Sequence, residues 1–154
     1  MTIYGLELHS MTKYFQGLFK PINPQKYKGN PTRICFRSSY EYKLLSYLDK
    51  HPDIVWYSSE ELSIPYRSPL DKRLKRYYPD ILCKSKNEII MIEVKPRYQC
   101  SPPVLTEGKK MTASHKRAVI TYLINDAKWR AAEAYCEDRG WRFKIMTETE
   151  LGIS

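Results

Sequence analysis

"RYYPDILCKSKNEIIMIEVKP", Arg76 to Pro96, contains two short apolar runs on either side of Lys86-Asn87. Asparagine is favoured where a tight hairpin needs positive φ, so the chain is expected to reverse here with Ser85 opposite Glu88. Partner numbers then sum to 173, and Asp80 falls directly across from Glu93. In the second strand Ile90, Ile92 and Val94 take one face, while Ile89, Met91, Glu93 and Lys95 take the other. Both faces begin apolar, which predicts a central strand covered on two sides. One face nevertheless ends in an acid and a base two residues apart. Isolated buried charges are costly, and pairing or metal coordination is the usual remedy. A Glu93–Lys95 salt bridge is one reading, and a site shared with Asp80 is the other.

Upstream, "TRICFRSSYE" (Thr32 to Glu41) leads into a helix predicted over Ser39 to Lys50, ending before Pro52. Glu41 lies three, four and seven residues before Leu44, Leu45 and Leu48, so it shares the face that turns toward the core. Ser38 with Glu41 three residues on also reads as a capping box, which gives the acid a local role. The alternative is a carboxylate aimed at the hairpin.

Further outward, Ile54 to Tyr57 and Leu62 to Tyr66 read as strands, followed by a charged loop, then by strands at Tyr77 to Cys83 and Glu88 to Lys95. A helical region is expected over Ser114 to Arg139, interrupted near Asn125-Asp126 and terminated by Gly140. Trp129, Ala132 and Cys136 follow helical spacing and read as core. Trp141 to Met146 is a last strand, and Thr147 caps a short terminal helix that takes in Glu148 and Glu150. Residues 1–33, with Pro21, Pro24 and Pro31 among lysines, read as an extended basic arm ahead of a core over 34–154.

The chain has 154 residues, the size of one domain, and 42% hydrophobic composition separates it from disordered sequences. No apolar run is long enough for a membrane span, and the first residues lack the pattern of a signal peptide, so a soluble, non-secreted protein is expected. Cys35, Cys83, Cys100 and Cys136 are scattered and far from the three histidines, which argues against a zinc site. Twenty-six Lys and Arg against seventeen Asp and Glu leave a net charge of +9, and the excess is clustered. Lys72, Arg73, Lys75 and Arg76 form one run, and Lys109-Lys110 ahead of His115-Lys116-Arg117 form another. A polyanion such as nucleic acid is the natural partner. Arg37 is a further phosphate contact or the partner of a nearby acid, and Lys128 has the same two readings.

Three carboxylates and one lysine suit a specific chemistry. Mg²⁺ prefers oxygen ligands, so Asp80, Glu93, Glu41 and the backbone carbonyl of Val94 could hold one or two ions, with Mn²⁺ able to substitute. Such ions polarise a phosphodiester and lower the pKa of an attacking water. Lys95 would orient or deprotonate that water, or stabilise the developing charge.

Pro79-Asp80, twelve intervening residues, then Glu93-Val94-Lys95 resembles the signature of PD-(D/E)xK nucleases, with Glu41 matching the first-helix acid of many members. "NPQKYKGNPTRICFRSSYE", "YYPD", "IEVKP" and "KWRAAEAYCEDRGWRFKIMTETEL" together resemble the head completion nucleases of T-even-type bacteriophages. The latter half is also similar to the endonuclease subunit of heteromeric transposases, and the acid–lysine pattern to phage junction-resolving endonucleases. The resemblance implies an α/β fold with a restriction-endonuclease-like αβββαβ core, a central mixed sheet flanked by helices. It implies a metal-dependent DNA endonuclease acting late in virion assembly, with Glu41, Asp80 and Glu93 as metal-binding acids and Lys95 as the catalytic lysine. Phage head, portal or neck proteins are the implied partners, and the virion head or neck, assembled in the host cytoplasm, the implied location. Paired active sites would require a homodimer. The arm before Asn23 and the loop from Arg97 to Lys110 match nothing in the family pattern. That loop, placed just after Lys95, reads as a flap over DNA or as a rigid surface loop. A non-catalytic virion protein that binds the DNA end or portal region is the competing reading, against which the intact acids and lysine count. An RNA-binding module is disfavoured, because no glycine-rich aromatic motif is present.

Overall fold

The computed structural model describes residues 16–105 and 107–152. In chain order the elements are β1 (Gly17–Phe19), β2 (Ile34–Phe36), α1 (Ser39–Lys50), β3 (Ile54–Ser59), β4 (Ile64–Arg67) and β5 (Leu74–Tyr77). They continue with β6 (Ile81–Ser85), β7 (Ile89–Val94), α2 (Ala113–Arg139), β8 (Arg142–Met146) and α3 (Glu148–Leu151).

The decisive hairpin forms in the expected register. Ile81 pairs with Ile92, Leu82 with Met91, Cys83 with Ile90 and Lys84 with Ile89. The Ser85 amide closes the turn on the carbonyl of Glu88 at 2.9 Å. β7 is central, in a four-stranded sheet of order β3-β6-β7-β8, antiparallel except where β7 runs parallel to β8. That parallel pair requires a long crossover, and α2 supplies it. With α1 ahead of β3, the path α1-β3-β6-β7-α2-β8 is the αβββαβ core of a restriction-endonuclease-like fold. The β4–β5 hairpin is inserted between β3 and β6.

Each face of β7 meets its own helix, as its two-sided apolar pattern requires. Ile92 and Val94 pack with Leu44, Leu45 and Leu48 of α1, while Met91 packs with Ala132 and Cys136 of α2 and with Ile64, Tyr66 and Tyr77 of the inserted hairpin. Trp129 is buried on the same α2 stripe.

Three sequence expectations are corrected. The stretch read as a charged loop contains β5, an edge strand whose Leu74, Lys75 and Arg76 are all exposed, so no alternation marks it. β5 also breaks the run read as one strand from Tyr77 to Cys83, because Tyr78 to Asp80 belong to neither strand. The second correction is that α2 is continuous through Asn125-Asp126, since its buried stripe holds both halves on the sheet. It ends at Gly140 in the left-handed conformation, φ 69°.

The third concerns the segment read as an extended arm. Residues 1–15 lie outside the described residues, but 16–33 are built into the fold. β1 pairs with β2, Phe19 and Tyr27 enter the core, and the Lys28 amide bonds the carbonyl of Tyr57 on β3 at 2.8 Å. Gly29 turns the chain at φ 138°, and a Cβ there would stand 2.9 Å from both the Tyr27 ring and the Glu61 carboxylate. Gly29→Ala is therefore expected to lower stability by about 1 kcal/mol or more, read as a lower urea midpoint at unchanged slope.

Candidate active site

Asp80 stands in the crossing between β5 and β6, where Tyr78-Pro79 carries the chain from the inserted hairpin onto the sheet. Its Oδ2 accepts from the Val94 amide at 2.8 Å. The carboxylate is thus held against the backbone between Glu93 and Lys95, where the 173 register places it. Glu93, 5% exposed, has one oxygen toward Lys95 Nζ at 3.6 Å and the other accepting from the Tyr77 hydroxyl at 2.5 Å. Lys95 is anchored through its own amide on the carbonyl of Met146 at 3.0 Å, at the end of the parallel pair.

Glu41 enters from the first turn of α1. Ser38 Oγ accepts from the Glu41 amide at 3.1 Å, so half of the capping box forms. The other half does not close on Ser38. Glu41 Oε2 accepts instead from the Arg37 amide at 3.2 Å, one residue earlier, and Oε1 faces Ser38 Oγ at 3.5 Å. Glu41 thus caps its helix in part, and the Glu93 carboxylate is near enough to act on it. Burial raises its pKa, the Arg37 amide and charge lower it, and the Glu93 carboxylate raises it further.

Asp80 feels the same crowding more strongly. Burial first, then the Glu93 and Glu41 carboxylates, push its pKa well above the ordinary value, against the Val94 amide and Lys95. Three acids with one close lysine leave a surplus of negative charge. An oxygen-only, acid-rich donor set of this kind suits a hard divalent cation. Among the described residues no three His, Cys, Asp or Glu side chains already enclose an ion position. Glu41 is held instead by the Arg37 amide, so its carboxylate is turned toward its own helix start.

The other sequence candidates lie around this centre. Arg37 ion-pairs with Glu60, whose own amide bonds the carbonyl of Asp80 at 3.2 Å, so it stands beside the site with its charge already partnered. Lys72 and Arg73 occupy the turn of the inserted hairpin, and Lys75 and Arg76 lie on β5. Lys75 meets Asp71 at 3.4 Å and Arg76 donates to Ser63 Oγ at 2.9 Å. Lys109 and Lys110 are exposed just before α2. Lys128 sits over the rings of Tyr66 and Tyr77, at 5.7 and 5.6 Å from their centroids.

Sequence reasoning did not single out Tyr77 or the outward reach of Glu148. Tyr77 ends β5 and ties the inserted hairpin to Glu93. Its place immediately before the Tyr-Pro-Asp turn was the available signal. Glu148 Oε2 accepts from the Arg97 amide at 2.9 Å, fastening α3 to the loop after Lys95, while Thr147 and Glu150 close a capping box.

The restriction-endonuclease-like fold here is that of an endonuclease family. Residues 51–148 match the family described as TnsA-like endonuclease N terminal, and the chain belongs to that family. It is also 37% identical over 141 residues to the head completion nuclease of Enterobacteria phage T4, covering 89% of this chain and 93% of that protein.

Proposed function

We propose that this protein is a Mg²⁺-dependent DNA endonuclease of the PD-(D/E)xK class that trims or resolves packaged DNA during phage head completion. The observation that carries the chemistry is Asp80 clamped to the Val94 amide, which brings it to Glu93 and Lys95 at the C-terminal end of β7, with Glu41 close enough to act on both carboxylates. The setting in head completion rests on similarity to the phage T4 protein along nearly its whole length. Phage head, portal or neck proteins then become its partners, and the virion head or neck its destination.

Asp80, Glu93 and Glu41, with the carbonyl of Val94, would hold the cation. When bound, Mg²⁺ supplies charge stabilisation to the phosphodiester and acidifies an attacking water. Lys95 Nζ stands 3.6 Å from Glu93 on a side chain 27% exposed, open to a phosphate or a water at the cut. Tyr77 fixes Glu93 by one oxygen, which orients the other toward Lys95. Exposed basic residues on the inserted hairpin position the backbone, and they carry little base information, so the cut is selected by DNA structure more than by sequence.

The test is cleavage of linear, supercoiled and branched DNA in Mg²⁺ or Mn²⁺ against EDTA, at fixed low salt, with Lys95→Ala as control. Metal-dependent cutting by wild type alone, while both proteins bind DNA, supports the reading. Binding without cutting in either metal would sink it and favour a structural DNA-end protein. Replacing Lys72, Arg73, Lys75 and Arg76 together by Gln should weaken duplex binding and flatten its salt dependence. The log–log slope should fall by about 0.9 for each phosphate contact removed, measured by anisotropy across a salt series.

A further inference from the structure

Beyond Lys95 the chain turns through a single 3-10 turn, Arg97–Gln99, and returns over the first half of α2. Between them lies a cavity of about 320 Å³, lined by Tyr98, Gln99, Pro103, Thr121, Tyr122 and Asn125 among others. The reason for the cavity is in the sequence of α2. Trp129, Ala132 and Cys136 fill the buried stripe along the second half of the helix, and the same stripe continues backward through Asn125 to Thr121 and Ala118. Trp129 closes the stripe with a large ring, whereas Asn125, Thr121 and Ala118 before it leave space under the loop.

Asn125 is the informative residue. It is 8% exposed, and its side chain makes no hydrogen bond among the described residues. An amide offers two donors and a carbonyl acceptor, and the polar atoms of Asn125 keep accessible surface although the residue as a whole is buried. Here they line a cavity instead of a packed core. Gln99 adds a second amide, whose nitrogen donates to the Tyr98 hydroxyl at 3.0 Å, so its carbonyl oxygen is left for another partner. Tyr98 itself is 78% exposed, three residues after Lys95.

The chemistry that fits is a small planar ring with donors and acceptors on its edge. The volume lies at the lower end of the range for small-ligand pockets, two tyrosines supply aromatic walls, and the polar groups are neutral amides and hydroxyls. No charge lines the cavity, although Arg117 precedes it on α2 and Lys109 and Lys110 stand before that helix. A nucleobase with its phosphates outside matches this division. We propose that the cavity takes one unpaired nucleobase of the DNA substrate, read on its edge by Asn125 and stacked on Tyr98, next to the phosphodiester presented to Lys95. This deepens the endonuclease reading and rests on it for the location of the cut. A base inside an intact duplex cannot enter, whereas one at a flap, branch or frayed end can do so without the cost of unstacking. The pocket thereby selects DNA structure.

The experiment uses the full chain in EDTA and two duplexes, one fully paired and one carrying a single unpaired 2-aminopurine. Wild type should bind the second roughly tenfold more tightly and quench its fluorescence by stacking. Asn125→Leu, which keeps the branched outline but removes the polar edge, and Tyr98→Ala, at an exposed position, should each bring the two affinities close together and restore the fluorescence. Equal affinities for the two duplexes in wild type, or a preference that survives both substitutions, would overturn the proposal. The two readings fail separately. A protein that cuts DNA in Mg²⁺ but shows no such preference keeps the nuclease and loses the pocket. One that shows the preference and cuts nothing keeps the pocket and loses the nuclease.

Discussion

Asp80→Asn is expected to lower DNA cleavage by about 10³-fold while raising the stability of the metal-free protein. The two effects have one cause. In the folded chain Asp80 is buried beside Glu93 and Glu41, and its pKa stands well above its ordinary 3.8. Between that value and the raised one, the folded chain binds more protons than the unfolded chain. Stability therefore falls as pH rises through this window, and the full penalty is present above it. Asparagine cannot ionise, so the variant loses this fall. Its carbonyl oxygen still accepts from the Val94 amide, and the end of the hairpin is kept. The expected gain at neutral pH is on the order of 0.5–2 kcal/mol, the size of other single stabilising changes that relieve a site kept for function. Thermal unfolding across a pH series, with and without Mg²⁺, reads both sides. Wild type should be stabilised by Mg²⁺, which binds the folded state, and the variant much less. A variant that is less stable than wild type at neutral pH, or equally stabilised by Mg²⁺, would show that Asp80 is a structural acid.

The centre of this site was legible in the sequence because its geometry is short-range. A two-residue turn at Lys86-Asn87 fixes every pairing in the hairpin, and a strand's period of two assigns the faces of β7, so Asp80, Glu93 and Lys95 meet by local rules. Glu41 followed from the helical period, which puts it beside Leu44, Leu45 and Leu48. What remained hidden depends on contacts made across the chain. β5 shows no alternation because all but its last residue are exposed, and only its pairing with β4 makes it a strand. The break expected in α2 near Asn125-Asp126 followed local propensity, and packing of one stripe against the sheet overrode it. The same expectation concealed the unpaired Asn125 amide, which is informative only once its depth is known. Proline spacing made residues 16–33 look like a free arm, because nothing nearby shows that their amides have a partner at the far end of α1.

That partner is Asp49, and Asp49→Ala is expected to destabilise the fold by about 3–5 kcal/mol without touching Asp80, Glu93 or Lys95. Asp49 is a second acid on the core face of α1, one turn beyond Leu45, and it is 1% exposed. Its Oδ2 accepts from the Ile22 amide at 2.9 Å, both oxygens accept from the Asn23 amide at 3.2 Å, and Oδ1 accepts from the buried Tyr57 hydroxyl at 3.0 Å. From the other side Lys26 Nζ bonds the carbonyls of Leu48, Asp49 and His51 at 2.7–2.9 Å, satisfying the C-terminal end of α1. Alanine would leave two amides and a tyrosine hydroxyl without an acceptor, and each such group costs about 1–3 kcal/mol when it stays buried. The segment ahead of β2 should then detach, so hydrogen exchange at the Ile22 and Asn23 amides should accelerate more than at β7. Asp49→Asn is the discriminating companion, because it keeps acceptor oxygen while removing the charge near Lys26. If Asn restores most of the urea midpoint, hydrogen bonding to the backbone is what holds the segment. If Asn is as damaging as Ala, the attraction between Asp49 and Lys26 carries the larger share. An unchanged midpoint for Asp49→Ala would mean that residues 16–33 contribute little to folding, and the reading of a free arm would return.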